Sequence, residues 1–355
     1  MLYNAALGGQ YAGSPRAVHE ELARRGLPLR HVWTCDDLQA DLPQTAEGIR
    51  QWSPEWFEAL ATAKYVVTST HLPEFFVRRP GQIVLQTWHG TPLKRIGHDF
   101  EKVWFTDSEY LKHLDREVPQ WSMLVSGNSF STPVLRRAFK YEGEMLETGY
   151  PRNDVLFAPD REKTAEQVRE RLGLPEGKKI VLYAPTFRED RRRPQSGYQL
   201  DLRIDLAAAQ AALGEDQVLL VRGHEVMCGQ IPGAGNGYVW DVGTYPDMAD
   251  LLLVADVLVT DYSSAMFDFA NTGRPIVFFT YDLEHYRDNL RGFTFDFEAA
   301  APGPMPASSE ELVSTLGRID ELSGTYSEKY TAFREAYCDL DDGQASARVV
   351  DALLG

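Results

Sequence analysis

A chain of 355 residues, 43% hydrophobic and 25% charged, is long enough for two packed domains and too long for one ordinary core. Its formal net charge of -16 argues against a nucleic-acid backbone as main partner, because that binding is driven by Lys and Arg displacing counterions. An anionic ligand would need a local basic site instead. The three cysteines, Cys35, Cys228 and Cys338, form neither a paired motif nor a disulfide framework, which suits a reducing cytoplasm. The N-terminus has no basic start followed by a long apolar stretch, and the richest apolar run, residues 251–259, is short and broken by Asp256. No segment is expected to span a bilayer, while peripheral attachment stays open.

In chain order, residues 1–6 read as a brief strand. Ser14 and Pro15 then read as the cap and first turn of a helix carrying Val18 and Leu22. Residues 65–68, 83–86, 103–106 and 122–125 are short apolar or β-branched runs ending in polar loops, the pattern of buried parallel strands. A charged helix is expected over 161–172. A second strand series follows at 180–183, 218–221, 257–260 and 275–279, with helical patterns between most of them. Strands alternating with helices imply parallel sheets that bind ligands at their carboxyl ends. The expected fold is therefore α/β, with two facing Rossmann-like domains and a cleft between them. The stretch 188–198, with its run of arginines, reads as a solvated, mobile loop.

The segment around Thr260-Asp261-Tyr262-Ser263-Ser264 ends a strand and opens an apolar helix near Ala265. Free backbone N–H groups and a helix dipole would meet there, and the hydroxyls of Thr260, Ser263 and Ser264 could help to hold a diphosphate. The plainer alternative is that Ser263 only caps the helix. Two histidines end strands in different halves of the chain. His89 follows the apolar run 83–88, where it could take a hydroxyl proton, and His224 follows 219–223, where with Arg222 it could neutralise phosphate oxygens. A surface or hydrogen-bonding histidine is the alternative for each. Lys94 and Arg95 could bind an acceptor phosphate, and Arg188 is read as free to reach a polyanion. No Gly-x-Gly-x-x-Gly follows the first strand, and there is no P-loop or zinc-protease helix. Asp339 and Asp341 lie outside any strand-loop context, so no obligatory metal or cofactor is expected.

Several segments in one order carry a resemblance: Gly9-Gln10-Tyr11 with Ser14-Pro15-Arg16-Ala17, Trp88-His89-Gly90-Thr91-Pro92-Leu93-Lys94, Thr148-Gly149-Tyr150-Pro151-Arg152-Asn153-Asp154, and Tyr183-Ala184-Pro185-Thr186-Phe187-Arg188. Arg222-Gly223-His224, Thr260-Asp261-Tyr262-Ser263-Ser264 and Asp342-Gly343-Gln344-Ala345 complete them. Over nearly its whole length the chain resembles the CDP-glycerol glycerophosphotransferase family, the teichoic acid and capsule polyol-phosphate transferases. The resemblance implies a GT-B architecture: an acceptor-side domain over 1–150, a CDP-donor domain over 151–325, and a closing helix over 326–355 that packs back on the first domain. It implies that His89 and His224 are catalytic and that Arg222, Thr260, Ser263 and Ser264 hold the donor's phosphates. Val242, Thr244, Tyr245 and Asp247 would surround the nucleoside, and Gln10, Thr91, Lys94, Arg95 and Arg188 would face the acceptor.

The implied reaction moves glycerol phosphate, or a related polyol phosphate, from CDP-glycerol to a hydroxyl of a lipid-linked acceptor and releases CMP. The implied partners are a CDP-polyol donor, a polyprenyl-diphosphate-linked glycan or polyol-phosphate acceptor, and the inner face of the cytoplasmic membrane. Nucleotide-sugar glycosyl transfer and non-catalytic CDP-polyol binding are the competing expectations. The chain departs from the family at its beginning, where the Tyr11 motif comes almost at once.

Overall fold

The computed structural model describes residues 1–5, 9–36, 42–100, 108–188, 190, 192–193, 197–199, 202–223, 227–228 and 231–355. The first sheet contains β1 (Leu2–Asn4), β2 (His31–Cys35), β3 (Ala46–Arg50), β4 (Tyr65–Thr68), β5 (Ile83–Gln86), β6 (Met123–Ser126) and β7 (Glu144–Glu147). All seven are parallel, in the order β3-β2-β1-β4-β5-β6-β7. Next come β8 (Lys179–Ala184), β9 (Arg192–Arg193), β10 (Gly197–Gln199), β11 (Gln217–Val221), β12 (Met227–Cys228), β13 (Val239–Asp241), β14 (Val257–Thr260) and β15 (Ile276–Phe278). Of these, β13-β11-β8-β14-β15 form a second parallel sheet, and the three two- or three-residue strands make a small separate one.

The expected runs at 65–68, 83–86, 180–183, 218–221 and 257–260 are strands, apolar apart from the end residues Thr68, Gln86 and Thr260, for a visible reason. Successive side chains point to opposite faces, and both faces are covered. Val66, Val84 and Leu124 enter one core, while Tyr65, Val67, Leu85 and Val125 enter the core on the other side of the sheet. In the second sheet Ile180, Leu182 and Leu220 face one core and Val181, Tyr183 and Leu219 the other. The helix Arg161–Leu172 forms over the expected residues. The strand expected at 103–106 lies outside the described residues.

Two expectations about helices change. Ser14 is not a cap: the first long helix spans Gly13–Arg24, so Ser14 sits inside its first turn with a buried hydroxyl. The cap comes from the other domain, where Asp247 Oδ2 accepts from Gly13 N at 2.9 Å and from Arg16 Nη1 at 3.1 Å. The closing segment is two helices. Ser327–Tyr337 stays on the second domain, with Phe333 stacked on Phe267 at 5.3 Å, because its apolar residues match that core. Ala345–Leu354 crosses back, burying Val349, Val350 and Leu353 in the core that holds Val18 and Leu22.

Candidate active site

His89 follows β5 at the carboxyl edge of the first sheet and is exposed to solvent there. The backbone before it is unusual. Trp88 has φ 54, a left-handed conformation that a bulky residue adopts only under constraint. Gln86 Oε1 accepts the Trp88 N–H at 2.9 Å, and the indole packs on Phe139 at 4.7 Å and on the His89 ring at 4.2 Å. This turn swings the imidazole away from the strand direction, and Ser69 O fixes it at 2.9 Å from Nδ1. A carbonyl can only accept, so Nδ1 carries the hydrogen and Nε2 presents a lone pair. Crowding by the surrounding protein lowers the histidine's pKa below its ordinary 6.5; the Ser69 contact opposes this, and His71, Arg152 and Lys94 add to it. Water reaches the ring and moderates the displacement. His89 is thus a neutral imidazole with a free lone pair, the state a general base needs.

The remainder of the Trp88 to Lys94 segment grips the second domain. A methyl group on Gly90 would lie 2.7 Å from Ser264 Cβ, so the two loops meet with no room between them. Leu93 is buried in the core of the second domain. Its carbonyl accepts from Thr294 N at 2.8 Å, and Thr294 Oγ1 donates to Pro92 O at 2.6 Å. Lys94 pairs antiparallel with Phe293, and Arg95 N donates to Gly292 O at 3.2 Å. The backbone of Lys94 and Arg95 is therefore interdomain structure, while the Arg95 side chain lines a cavity of about 460 Å³ together with Arg287, Asp288 and Glu298. Thr91 is buried, its hydroxyl accepting from Asn128 Nδ2 at 2.8 Å. Gln10 is half-buried in the loop between β1 and the first helix.

On the donor side, Ser263 and Ser264 are half-buried and precede the short helix Ala265–Ala270. Ser263 Oγ accepts from Ala265 N at 3.2 Å, a local bond at the start of the helix of the kind the plainer capping alternative anticipates. Thr260 is fully buried and donates its hydroxyl to Ala184 O at 2.8 Å, bracing the strand end. Arg222 Nη1 donates to Val242 O, Gly243 O and Tyr245 O, which pins the loop after β13. In that loop Val242 and Tyr245 turn their side chains inward and Thr244 is exposed. Asp247 caps its own helix through Ala249 N at 3.0 Å besides holding Gly13 and Arg16. Its carboxylate is occupied by these interdomain contacts. His224 lies outside the described residues.

Arg188 corrects the expectation of a solvated residue free to reach a polyanion. Its side chain is 3% exposed, 3.0 Å from Asp261 Oδ2 and 2.7 Å from Asp282 Oδ2, with the rings of Tyr262, Tyr281 and Tyr286 around it. A guanidinium this far from water is held by its carboxylates, and releasing it would strand two charges. It stiffens the turn that carries Ser263.

Sequence reading missed the residues that position others. Ser69 and Gln86, which set His89, are polar ends of apolar strands with no motif of their own. Arg152 and Asp268 form a bidentate pair with bonds of 2.8 and 3.2 Å that ties the 148–154 segment to the helix after Ser264. Asp341 accepts from Tyr150 N at 2.9 Å and from Asn153 and Asn271 Nδ2, both at 2.8 Å. The signal for Arg152 was present, since its segment was among those that carried the resemblance.

Two parallel Rossmann-like sheets, with a histidine loop of one closing on a serine turn of the other, define a GT-B architecture. The family model for CDP-glycerol:poly(glycerophosphate) glycerophosphotransferase matches residues 1–355, and the chain belongs to that family. The teichoic acid poly(glycerol phosphate) polymerase of Bacillus subtilis (strain 168) is 36% identical over 361 residues, covering 100% of this chain. The chain spans 48% of that polymerase, about half its length. The teichoic acid glycerol-phosphate transferase of Staphylococcus aureus (strain NCTC 8325 / PS 47) is 37% identical over 354 residues, covering 98% of this chain and 90% of the relative. The solved structure of the wall teichoic acid polymerase TagF superposes with a TM-score of 0.90 at 34% identity, over 99% of this chain and 88% of that one. A TagF variant soaked with CDPG gives 0.92 at 33% identity, with the same two coverages.

Proposed function

We propose that the chain transfers glycerol phosphate, or a related polyol phosphate, from CDP-glycerol to a hydroxyl of a lipid-linked teichoic acid or capsule-type acceptor. The observation that carries this reading is the closure of Gly90 on Ser264, which brings the neutral His89 to the turn read as the donor's phosphate site. The acceptor oxygen bonds to the β-phosphorus, its proton passes to His89 Nε2, and the bond from that phosphorus to the CMP oxygen breaks. CMP leaves with the electron pair. Negative charge spreads over the transferring group, and Ser263, Ser264 and the backbone N–H groups beside them are the donors at hand to stabilise it. His224 is assigned to the same phosphates on the resemblance alone. Arg222 acts by holding the loop of Val242, Thr244 and Tyr245 against the nucleoside. The reading calls on no metal for the transfer step.

The acceptor's lipid places the chain at the inner face of the cell membrane, held peripherally. None of the described helices is long and apolar enough to cross one. The attachment surface is assigned to Trp52, Phe57 and Phe75, whose rings lie within 6.2 Å of one another, with Val77 two residues further on, all exposed by 44 to 75%. In the stretch 47–79 that carries them, Glu47, Glu55, Glu58 and Glu74 are balanced by Arg50, Lys64, Arg78 and Arg79, in a chain that is otherwise strongly acidic. Incubation with CDP-glycerol, CDP-ribitol and synthetic lipid-linked acceptors, followed by product masses, tests the reaction. CMP release with a mass gain of one polyol phosphate is expected; turnover of a nucleotide sugar with release of a nucleoside diphosphate would replace this reading.

A further inference from the structure

The first domain carries a cluster of metal-ligating side chains that the transfer reaction does not use. His71 lies in the loop after β4, and His113 and Glu117 lie four residues apart on one face of the helix Ser108–Glu117. Glu117 Oε2 is 2.6 Å from His71 Nδ1 and 3.3 Å from His113 Nε2, and one ligand atom from each residue falls within 4.8 Å of the others. The other carboxylate oxygen is already held, by Leu72 N at 3.0 Å and Trp121 Nε1 at 3.2 Å, which leaves Oε2 to the two imidazoles, hydrogen-bonded to His71 Nδ1 at 2.6 Å. The Glu117 side chain is 4% exposed.

Hydrogen bonding alone leaves this arrangement incomplete. His113 Nε2 is buried and has no hydrogen-bond partner among the described residues, because its approach to Glu117 lacks the geometry of one. Its other nitrogen, Nδ1, faces Glu74 Oε1 at 3.4 Å, which favours the tautomer with hydrogen on Nδ1 and a lone pair on Nε2. Ligand bonds of about 2.0–2.2 Å in a tetrahedron put neighbouring ligand atoms about 3.3–3.6 Å apart. The His113–Glu117 contact of 3.3 Å already has that spacing, the His71–Glu117 contact of 2.6 Å would need to open, and all three ligand atoms lie within 4.8 Å of one another.

We propose that His71 Nδ1, His113 Nε2 and Glu117 Oε2 bind one divalent transition-metal ion of the zinc type, with a solvent molecule as fourth ligand. Two imidazoles and one carboxylate suit zinc and not magnesium, which prefers an all-oxygen octahedron. Glu74 opposite His113 Nδ1 supplies the outer carboxylate that commonly orients a ligating histidine. The ion would tie the helix Ser108–Glu117 to the loop after β4. Ser69, two residues before His71 in that loop, is the partner of His89 Nδ1. The ion is therefore a positioning element for His89, and this part alone rests on the transferase reading.

The untagged full chain, stripped with chelator and dialysed, should take up one equivalent of Zn²⁺ by elemental analysis, with a rise in Tm that Mg²⁺ does not produce. Co²⁺ should give the intense visible bands of a four-coordinate site. His113→Ala and Glu117→Gln should each weaken Zn²⁺ binding at least about 10-fold, while His98→Ala, whose ring pairs with Asp115 on the same helix outside the cluster, should bind as the parent does. A parent chain that takes up no Zn²⁺ at micromolar concentration, or a His113→Ala variant that binds equally well, overturns the site. Zinc bound with unchanged kcat on stripping would keep the site and remove its role in positioning His89.

Discussion

Gly90 and Ser264 come from different domains and leave no space for a side chain between them, since a methyl group on Gly90 would stand 2.7 Å from Ser264 Cβ. Carbon atoms in contact normally stand about 3.5–4.0 Å apart, so Gly90→Ala must move the two loops by about 1 Å. A displacement of that size at a reacting centre costs on the order of 100-fold in rate. The variant should keep its Tm within a few degrees and lose about that much CMP release. Ser264→Gly lowers the rate by itself through loss of its hydroxyl, but in that background Gly90→Ala should cost clearly less than in the parent if steric conflict is the cause, and the double-mutant cycle checks it.

His89→Ala should abolish turnover, by about 10²–10⁴-fold, while CDP-glycerol still binds in a calorimetric titration. The pH dependence follows from the sign of the shift. The folded chain disfavours the imidazolium, so the neutral base persists below the ordinary pKa of 6.5. The acid limb of kcat/KM should therefore fall below pH 6.5, with activity flat from there to pH 8. A limb centred above 6.5 that disappears in a His89 variant would contradict the assignment.

Asp341 is a clamp. Asp341→Ala leaves the N–H donors of Tyr150, Asn153 and Asn271 without their acceptor. Unmet buried donors cost about 1–3 kcal/mol each, and partial access of water brings the expected loss to about 3 kcal/mol, read by denaturant titration. Burial raises the Asp341 pKa to about 6. The folded state therefore holds this proton more tightly than the unfolded one. The stability that the raised pKa contributes is full below about pH 3.8 and is lost as pH rises through about 6. The gap between parent and Asp341→Ala should widen as pH falls from 7 to 4.

Arg222→Ala should loosen the loop of residues 242–245 by removing the donor to its three carbonyls. If that loop holds the nucleoside, KM for CDP-glycerol should rise about 10-fold or more with a smaller change in kcat. An effect confined to kcat would instead place Arg222 on the transferring phosphate.

Trp52→Ala with Phe75→Ala should reduce cosedimentation with phospholipid vesicles while leaving CMP release from a short soluble acceptor intact. Unchanged sedimentation would move the attachment surface elsewhere.

Central strands were legible because burial on both faces demands an unbroken apolar run, as at Val66 or Leu182. Among the edge and short strands, those expected within 1–6 and 275–279 were legible as well, while three others were not. Ala46–Arg50 and Glu144–Glu147 are partly exposed and carry charge, and Val239–Asp241 is three residues long. Each is a strand because a neighbour supplies its hydrogen bonds, which no local pattern records. The Ser14 cap failed for a related reason: its competitor, Asp247, is more than 200 residues away in the chain.

By itself, then, the sequence determined two parallel α/β domains, the family, and a histidine at the end of an apolar strand. Those features depend on alternation along a strand and on residues close together in the chain. Only the tertiary structure decided what that histidine can do. Its tautomer depends on the Ser69 carbonyl, its direction on the left-handed turn at Trp88, and its partner across the cleft on the fit of Gly90 against Ser264. It also withdrew Arg188 from the solvent, because Asp261 and Asp282 converge on it only when the second sheet is assembled.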